Sequence, residues 1–291
     1  MAVFLGTVIP LHWHNEPLLL LCLLGAGWMY AVGVGPLRAR LAPAGTPFPK
    51  AKAAAFFAGL IFNYLAVGSP LDQFGEDYLF CVHMVQHLII VYITPPLMLW
   101  GTPWWLVDAV LARRGIKKVA QCLFHPAVGC TAFVVTFAMW HLPELYEAAL
   151  RNRPIHILEH LIIFGTAVQM WWLYLSPSRI IPPCNYPVRI VAAFLLMAAH
   201  MPILGLLAFS DDPLYRTYEL APRIEYTLPG THILLIPKMS AADDQRVGAA
   251  IMEMSAAVVS VGLLGFSFWG WMKDDDRRNG KARPAANPLP T

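Results

Sequence analysis

Long apolar runs, interrupted at short intervals by proline, glycine and charge, dominate the chain. A helix crossing about 30 Å of hydrocarbon needs about 20 mostly apolar residues. Seven segments meet that length: residues 16–35, 51–69, 78–99, 125–143, 155–175, 187–209 and 246–272. Short Pro- and Gly-bearing connections separate most of them. The pattern predicts an all-α polytopic membrane protein, a seven-transmembrane-helix bundle spanning residues 1–272. Composition agrees, with 57% of the 291 residues hydrophobic and 13% charged, outside the balance of soluble domains. Residues 273–291, polar, mixed in charge and Pro-rich, read as a solvated, disordered tail. The stretch "WWLVDAVLARRG" (104–115) reads as a short amphipathic helix at the membrane surface, with Trp104 and Trp105 in the interfacial belt.

Charge orients this bundle. Basic residues fall in alternate loops: Arg38, Arg40, Lys50 and Lys52, then Arg113, Arg114, Lys117 and Lys118, then Arg179 and Arg189, then the tail. That is fifteen of twenty-one on one side, so the positive-inside rule predicts an outside N-terminus and a cytoplasmic C-terminus. The opposite loops are acidic, with Asp72, Glu76, Asp77, Glu144, Glu147, Asp211, Asp212, Glu219 and Glu225. No basic n-region or cleavage site opens the chain, so residue 1 reads as the mature start.

On this frame the histidines gather at one level. His83 and His87 in "HMVQHLII" fall roughly 8 and 14 Å below the outer end of the third segment, and "IHILEHLII" repeats the arrangement with His156 and His160. His141 ends the fourth segment and His200 lies at similar depth in the sixth. With His12, His14 and His232 outside, nine of ten histidines occupy the outer half or face, His125 being the exception. Residues four apart share a helix face, so both imidazoles of a pair reach one ion. Intramembrane histidines face the bundle interior with a partner and mark function.

The donor set narrows the chemistry. Di-iron bundles need Glu-x-x-His pairs, whereas here Glu159 directly precedes His160 and is read as pointing elsewhere. Imidazoles with nearby thioethers suit copper, and imidazole alone also suits zinc or haem iron. Met84, Met139, Met201, Met252 and Met254 lie in the same outer half and tilt the reading towards copper. Glu253 reads as an accessory carboxylate or proton acceptor. Cys22, Cys81, Cys122, Cys130 and Cys184 are scattered, with neither a disulfide framework nor a thiolate clip. There is no phosphate loop and no nucleophile motif, so neither nucleotide, nucleic acid nor hydrolysis is indicated. The last segment lacks a mid-depth lysine for a retinal Schiff base, and "ITPPLMLWGTP" and "AHMPILG" are possible helix breaks of the kind transporters use. A haem-binding electron-transfer protein and a metal-free structural factor stay open as alternatives, and a metal-dependent membrane enzyme has least support.

Several ordered stretches resemble one family. "HMVQHLII" with "TPPLMLWGTP", "WHLPELYEAAL" leading to "IHILEHLIIFGTAVQMWW", then "PLYRTY" and "DDQRVGAAIM" are similar to the CtaG-like assembly factors of caa-type haem-copper oxidases, over about residues 78–262. The resemblance implies a seven-helix protein of the bacterial inner membrane. Its implied role is a non-enzymatic metallochaperone delivering copper to a haem-copper cytochrome c oxidase subunit. Matched positions are His83, Gln86, His87, His141, Tyr146, His156, Glu159, His160, Tyr215, Tyr218, Asp244 and Gln245. The "AIMEM" continuation and the long 219–242 loop depart from the pattern, the loop being either an oxidase-docking element or a variable connection. The expected centre is His83, His87, His156 and His160 with His141 or His200 completing it. Met84, Glu159, Asp244, Gln245 and Glu253 are accessory, and His12 and His14 form an outer entry point.

Overall fold

The computed structural model describes residues 2–4, 7–9, 13, 16–223, 226–227, 234–236 and 238–282. Two short antiparallel strand pairs interrupt an otherwise helical chain: β1 (Ala2–Phe4) with β2 (Thr7–Ile9) before the first helix, and β3 (Tyr226–Thr227) with β4 (Leu234–Ile236) before the last. The helices begin with α1 (Pro17–Val34), α2 (Arg38–Leu41), α3 (Lys50–Gly68) and α4 (Pro70–Asp77). The third apolar segment is α5 (Phe80–Leu88), a π-helical turn over Ile89–Ile93, and α6 (Thr94–Gly101). Next come α7 (Trp104–Leu111), α8 (Arg114–Leu123), α9 (Pro126–Trp140) and α10 (Pro143–Arg151). The chain then forms α11 (Arg153–Leu175), α12 (Tyr186–Phe209), α13 (Arg216–Leu220) and α14 (Ala241–Ala282).

All seven predicted segments are helical. Five helical stretches are long and apolar enough to cross a membrane: α1, α3, α5 through α6, α12 and α14. The α8–α9 pair, bent by 58°, makes a sixth if it counts as one span. This is a multi-pass membrane protein. The α11 helix has the length, at 23 residues, but His156, Glu159, His160 and Gln169 dilute its apolar face, and it is not among the five.

The suspected helix breaks are absorbed. Pro95 and Pro96 follow the π-turn, which is a wider loop of helix that accommodates the missing N–H groups. The freed carbonyl of Val91 accepts the indole N–H of Trp171 at 2.8 Å. Pro202 sits inside α12 without ending it. Two further expectations are corrected. Trp105 is buried beside Tyr30 and Phe56 rather than lying in a belt, and Trp104 carries the Arg179 guanidinium 3.6 Å from its ring centroid. The polar stretch from Lys273 continues α14 through Ala282, with Arg277 and Asp274 one turn apart; residues 283–291 lie outside the described residues.

Connections that look like loops in the sequence also carry helix. Both α4 and α10 begin with proline in the first turn, which suits a position needing no N–H; α4 buries Asp72 and Gly75 against the bundle, and α10 buries Tyr146 and Ala149. Together with α13 they close over the histidine-bearing end, where Phe80, Tyr146, Tyr215 and Tyr218 form a buried aromatic cluster. The larger core, around Ile90, Phe133, Ala167, Trp171 and Leu196, fills the rest of the bundle.

Candidate metal centre

His83 is the fourth residue of α5 and His156 the fourth of α11; His87 and His160 follow one turn later in each. Equal offsets from two helix starts at one end of the bundle put the four imidazoles at one level. Ring centroids stand 4.3 Å apart for His83–His87 and 4.2 Å for His156–His160, with His87–His160 at 5.2 Å and His83–His156 at 5.6 Å. The Nε2 atoms of His83 and His87 are 2.9 Å apart. Two overlapping sets of donor atoms, His83–His156–His160 and His83–His87–Glu159, each lie within 4.8 Å. Two imidazole nitrogens bound to one tetrahedral ion at about 2.0 Å would stand about 3.3 Å apart, so the cluster needs little movement to close on a cation.

Hydrogen bonds decide which nitrogens are bare. Carbonyl and carboxylate oxygens only accept, so an imidazole nitrogen facing one must carry the proton. Nδ1 of His156 donates to Glu76, leaving Nε2 as a lone pair, buried and without a partner among the described residues. Nε2 of His160 is likewise buried and without one. A carboxylate behind a histidine that presents its other nitrogen is the arrangement that orients metal ligands. On α5, the Tyr218 hydroxyl donates to the Gly75 carbonyl at 2.6 Å, and Nδ1 of His83 lies 3.5 Å from that hydroxyl's oxygen while Nε2 faces His87.

The supporting shell is rigid. Gly75 lets α4 pass so close to α5 that an added Cβ would sit 2.9 Å from the His83 Cα. Asp244 on α14 accepts from the backbone N–H groups of Phe80 at 2.7 Å and Cys81 at 3.0 Å, capping α5 from a remote helix. Asn152 caps α11 by accepting from Ile155 N–H. Beyond the centre, Arg153 joins Glu16 at 2.6 Å, Glu76 at 2.5 Å and Asp72 at 3.3 Å, while Gln86 donates to Asp72 at 2.5 Å.

This geometry occupies the middle of a family match. The sequence model of the cytochrome c oxidase caa3 assembly factors matches residues 28–274. The chain belongs to that family. Comparison with curated proteins and with solved structures returns no match. As a caa3 assembly factor, the protein serves a cytochrome c oxidase.

The assembly factor places the predicted residues unevenly. His141 and His200 stand aside, both against Phe137, at 4.5 and 4.4 Å between ring centroids, and neither joins a donor set within 4.8 Å among the described residues. Each gives Nδ1–H to a backbone carbonyl, Phe137 and Leu196 respectively, leaving Nε2 bare. Glu159 does not point elsewhere, which corrects the sequence reading. Positions 156, 159 and 160 share one helix face, and the Glu159 carboxylate is buried in the cluster with both oxygens unpartnered among the described residues. Asp244 and Gln245 use their hydrogen bonds on backbone: Gln245 donates to Leu207 O and accepts from Leu214 N–H. Met201 and Met254 are exposed on the bundle surface, away from the imidazoles, whereas Met84 and Met252 are buried. Glu253 belongs to no donor set among the described residues, and its oxygens are buried without partners there. His12, His14 and His232 lie outside the described residues. Sequence reasoning missed Glu76 as the orienting carboxylate and the role of Gly75; Glu76, one turn before the His83 helix in an acidic "GED" segment, was the available signal.

Proposed function

We propose that this assembly factor is a copper carrier. It would take copper at the centre formed by His83, His87, His156 and His160 and hand it to a haem-copper oxidase subunit within the bilayer. The observation that carries the reading is the four imidazoles at one level, with Nε2 of His156 and of His160 buried and without a partner among the described residues and His156 oriented from behind by Glu76. Imidazole donors rank copper above the other common divalent ions. Burial adds a charge argument. Neutral imidazoles bring no counter-charge, and a carboxylate such as Glu159 is costly inside an apolar bundle without a cation or proton. One cuprous ion beside Glu159 makes the pocket neutral.

The same reading places seven spans in the membrane, with α11 as one of them, the N-terminus outside and the C-terminus in the cytoplasm. The polar surroundings of α11 inside the bundle make its lower apolarity tolerable, because its imidazoles and Glu159 face protein and not lipid. Glu16, Asp72 and Glu76 around Arg153 then form a net-acidic outer mouth that favours cation entry. The carrier role needs no reaction, only ligand exchange.

The test is made in cells lacking the native chain. A His83→Ala/His160→Ala variant should accumulate in the membrane while the oxidase matures without its copper and regains activity when the medium is supplemented with copper. Full oxidase copper with the variant as sole copy would remove the proposal.

A further inference from the structure

A small cavity of about 30 Å3 adjoins the centre, bounded by Met84, His87, Tyr92, Phe137, His141 and Met252. Protein interiors leave few voids able to hold a water, and those that do so offer it hydrogen-bonding partners. Here the wall is aromatic and aliphatic except for two imidazoles, two thioethers and the Tyr92 hydroxyl, and a thioether is only a weak acceptor. Two thioethers beside two imidazoles are the donor set of a soft cation.

Three helices bring these donors together. Met84 and His87 are three residues apart on α5 and share a flank. His141 closes α9, its ring set by Nδ1–H to the Phe137 carbonyl at 2.7 Å and its backbone held by the Tyr215 hydroxyl at 3.0 Å. Nε2, on the far edge of that ring, is buried without a partner among the described residues. Met252 comes from α14 and, like Met84, is buried. His87 borders both places: its Nε2 stands 2.9 Å from Nε2 of His83, and its ring lines the cavity.

We propose that this cavity is a second metal site, selective for a cuprous ion and distinct from the cluster of His83, His156 and His160. Its ligands are drawn from Nε2 of His141, the thioethers of Met84 and Met252, and the His87 imidazole, which it shares with the four-histidine centre. The inference rests on the reading of the chain as a copper carrier and gives that carrier two adjacent stations sharing the α5 helix. Movement of Cu(I) between them is ligand exchange at constant oxidation state, so no electron is transferred. Thioethers disfavour zinc and cupric ions, so the pair of stations also passes only reduced copper.

The test uses the full chain labelled with selenomethionine, purified in detergent and saturated anaerobically with Cu(I). Metal is counted after desalting, and X-ray absorption at the copper edge reads the neighbours. The expected result is about two equivalents with selenium in the copper shell. In Met84→Leu/Met252→Leu one equivalent and the selenium signal should be lost together; in His83→Ala/His160→Ala the other equivalent should be lost and the selenium retained. A wild-type chain that holds a single, selenium-bearing equivalent unaffected by His83→Ala/His160→Ala would support this site and remove the histidine centre instead. Copper without a selenium neighbour in the wild-type chain overturns the proposal, whether or not the leucine variant folds, and so does selenium that persists in that variant.

Discussion

The carboxylate of Asp244 accepts the backbone N–H of Phe80 at 2.7 Å, across 164 residues of sequence. It also takes the next N–H, that of Cys81, so the first turn of the helix carrying His83 and His87 is closed by a side chain from α14. Caps of this kind contribute about 0.5–2 kcal/mol, and leaving buried N–H groups unpaired adds to the loss. Asp244→Ala should therefore lower the thermal unfolding temperature in detergent by several degrees and weaken copper binding. Asp244→Asn, which keeps an acceptor oxygen, should recover most of both. An alanine variant with unchanged unfolding would show that the cap does not hold α5.

Glu76 behind His156 gives a second expectation. Loss of a carboxylate that orients a ligating imidazole typically lowers metal affinity by about 10–100-fold. Glu76→Gln should reduce Cu(I) affinity within that range, measured by competition with a chromophoric chelator. The same change should leave the selenium-bearing equivalent at the neighbouring cavity in place.

Gly75 tests close packing at the centre. A methyl group there would meet the His83 backbone at 2.9 Å, and overpacking of this kind costs about 1–3 kcal/mol. Gly75→Ala should fold, unfold at a lower temperature and bind copper poorly, because the displaced atom belongs to the histidine-bearing turn. Copper affinity equal to wild type would place the ligands elsewhere.

Orientation is testable with single cysteines in a background lacking the five native ones. Asp212→Cys, in the exposed turn after α12, should react with a membrane-impermeant maleimide added to intact cells; Arg114→Cys, exposed at the start of α8, should react only after lysis. The reverse pattern would invert the topology and put the acidic mouth in the cytoplasm.

The sequence already carried the helices, because 20-residue apolar runs and their proline boundaries are local properties. It carried the histidine level as well, since i, i+4 spacing and alternating span direction place side chains in depth. Glu159 was misread from adjacency to His160, although positions 156, 159 and 160 lie on one face. Glu76, Gly75 and Asp244 act through contacts between α4, α5, α11 and α14, and no short pattern records which turn of one helix meets which turn of another. The amphipathic helices α4 and α10 were hidden because each is too short for its period to stand out from a polar loop.

The most direct measurement of the central claim is the metal content and absorption spectrum of the purified chain from copper-supplemented cells, beside His83→Ala/His160→Ala. The account predicts bound copper in the wild-type chain, a loss of about one equivalent in the variant, and no Soret band in either. Haem absorption, or copper content that the double substitution leaves unchanged, would contradict it.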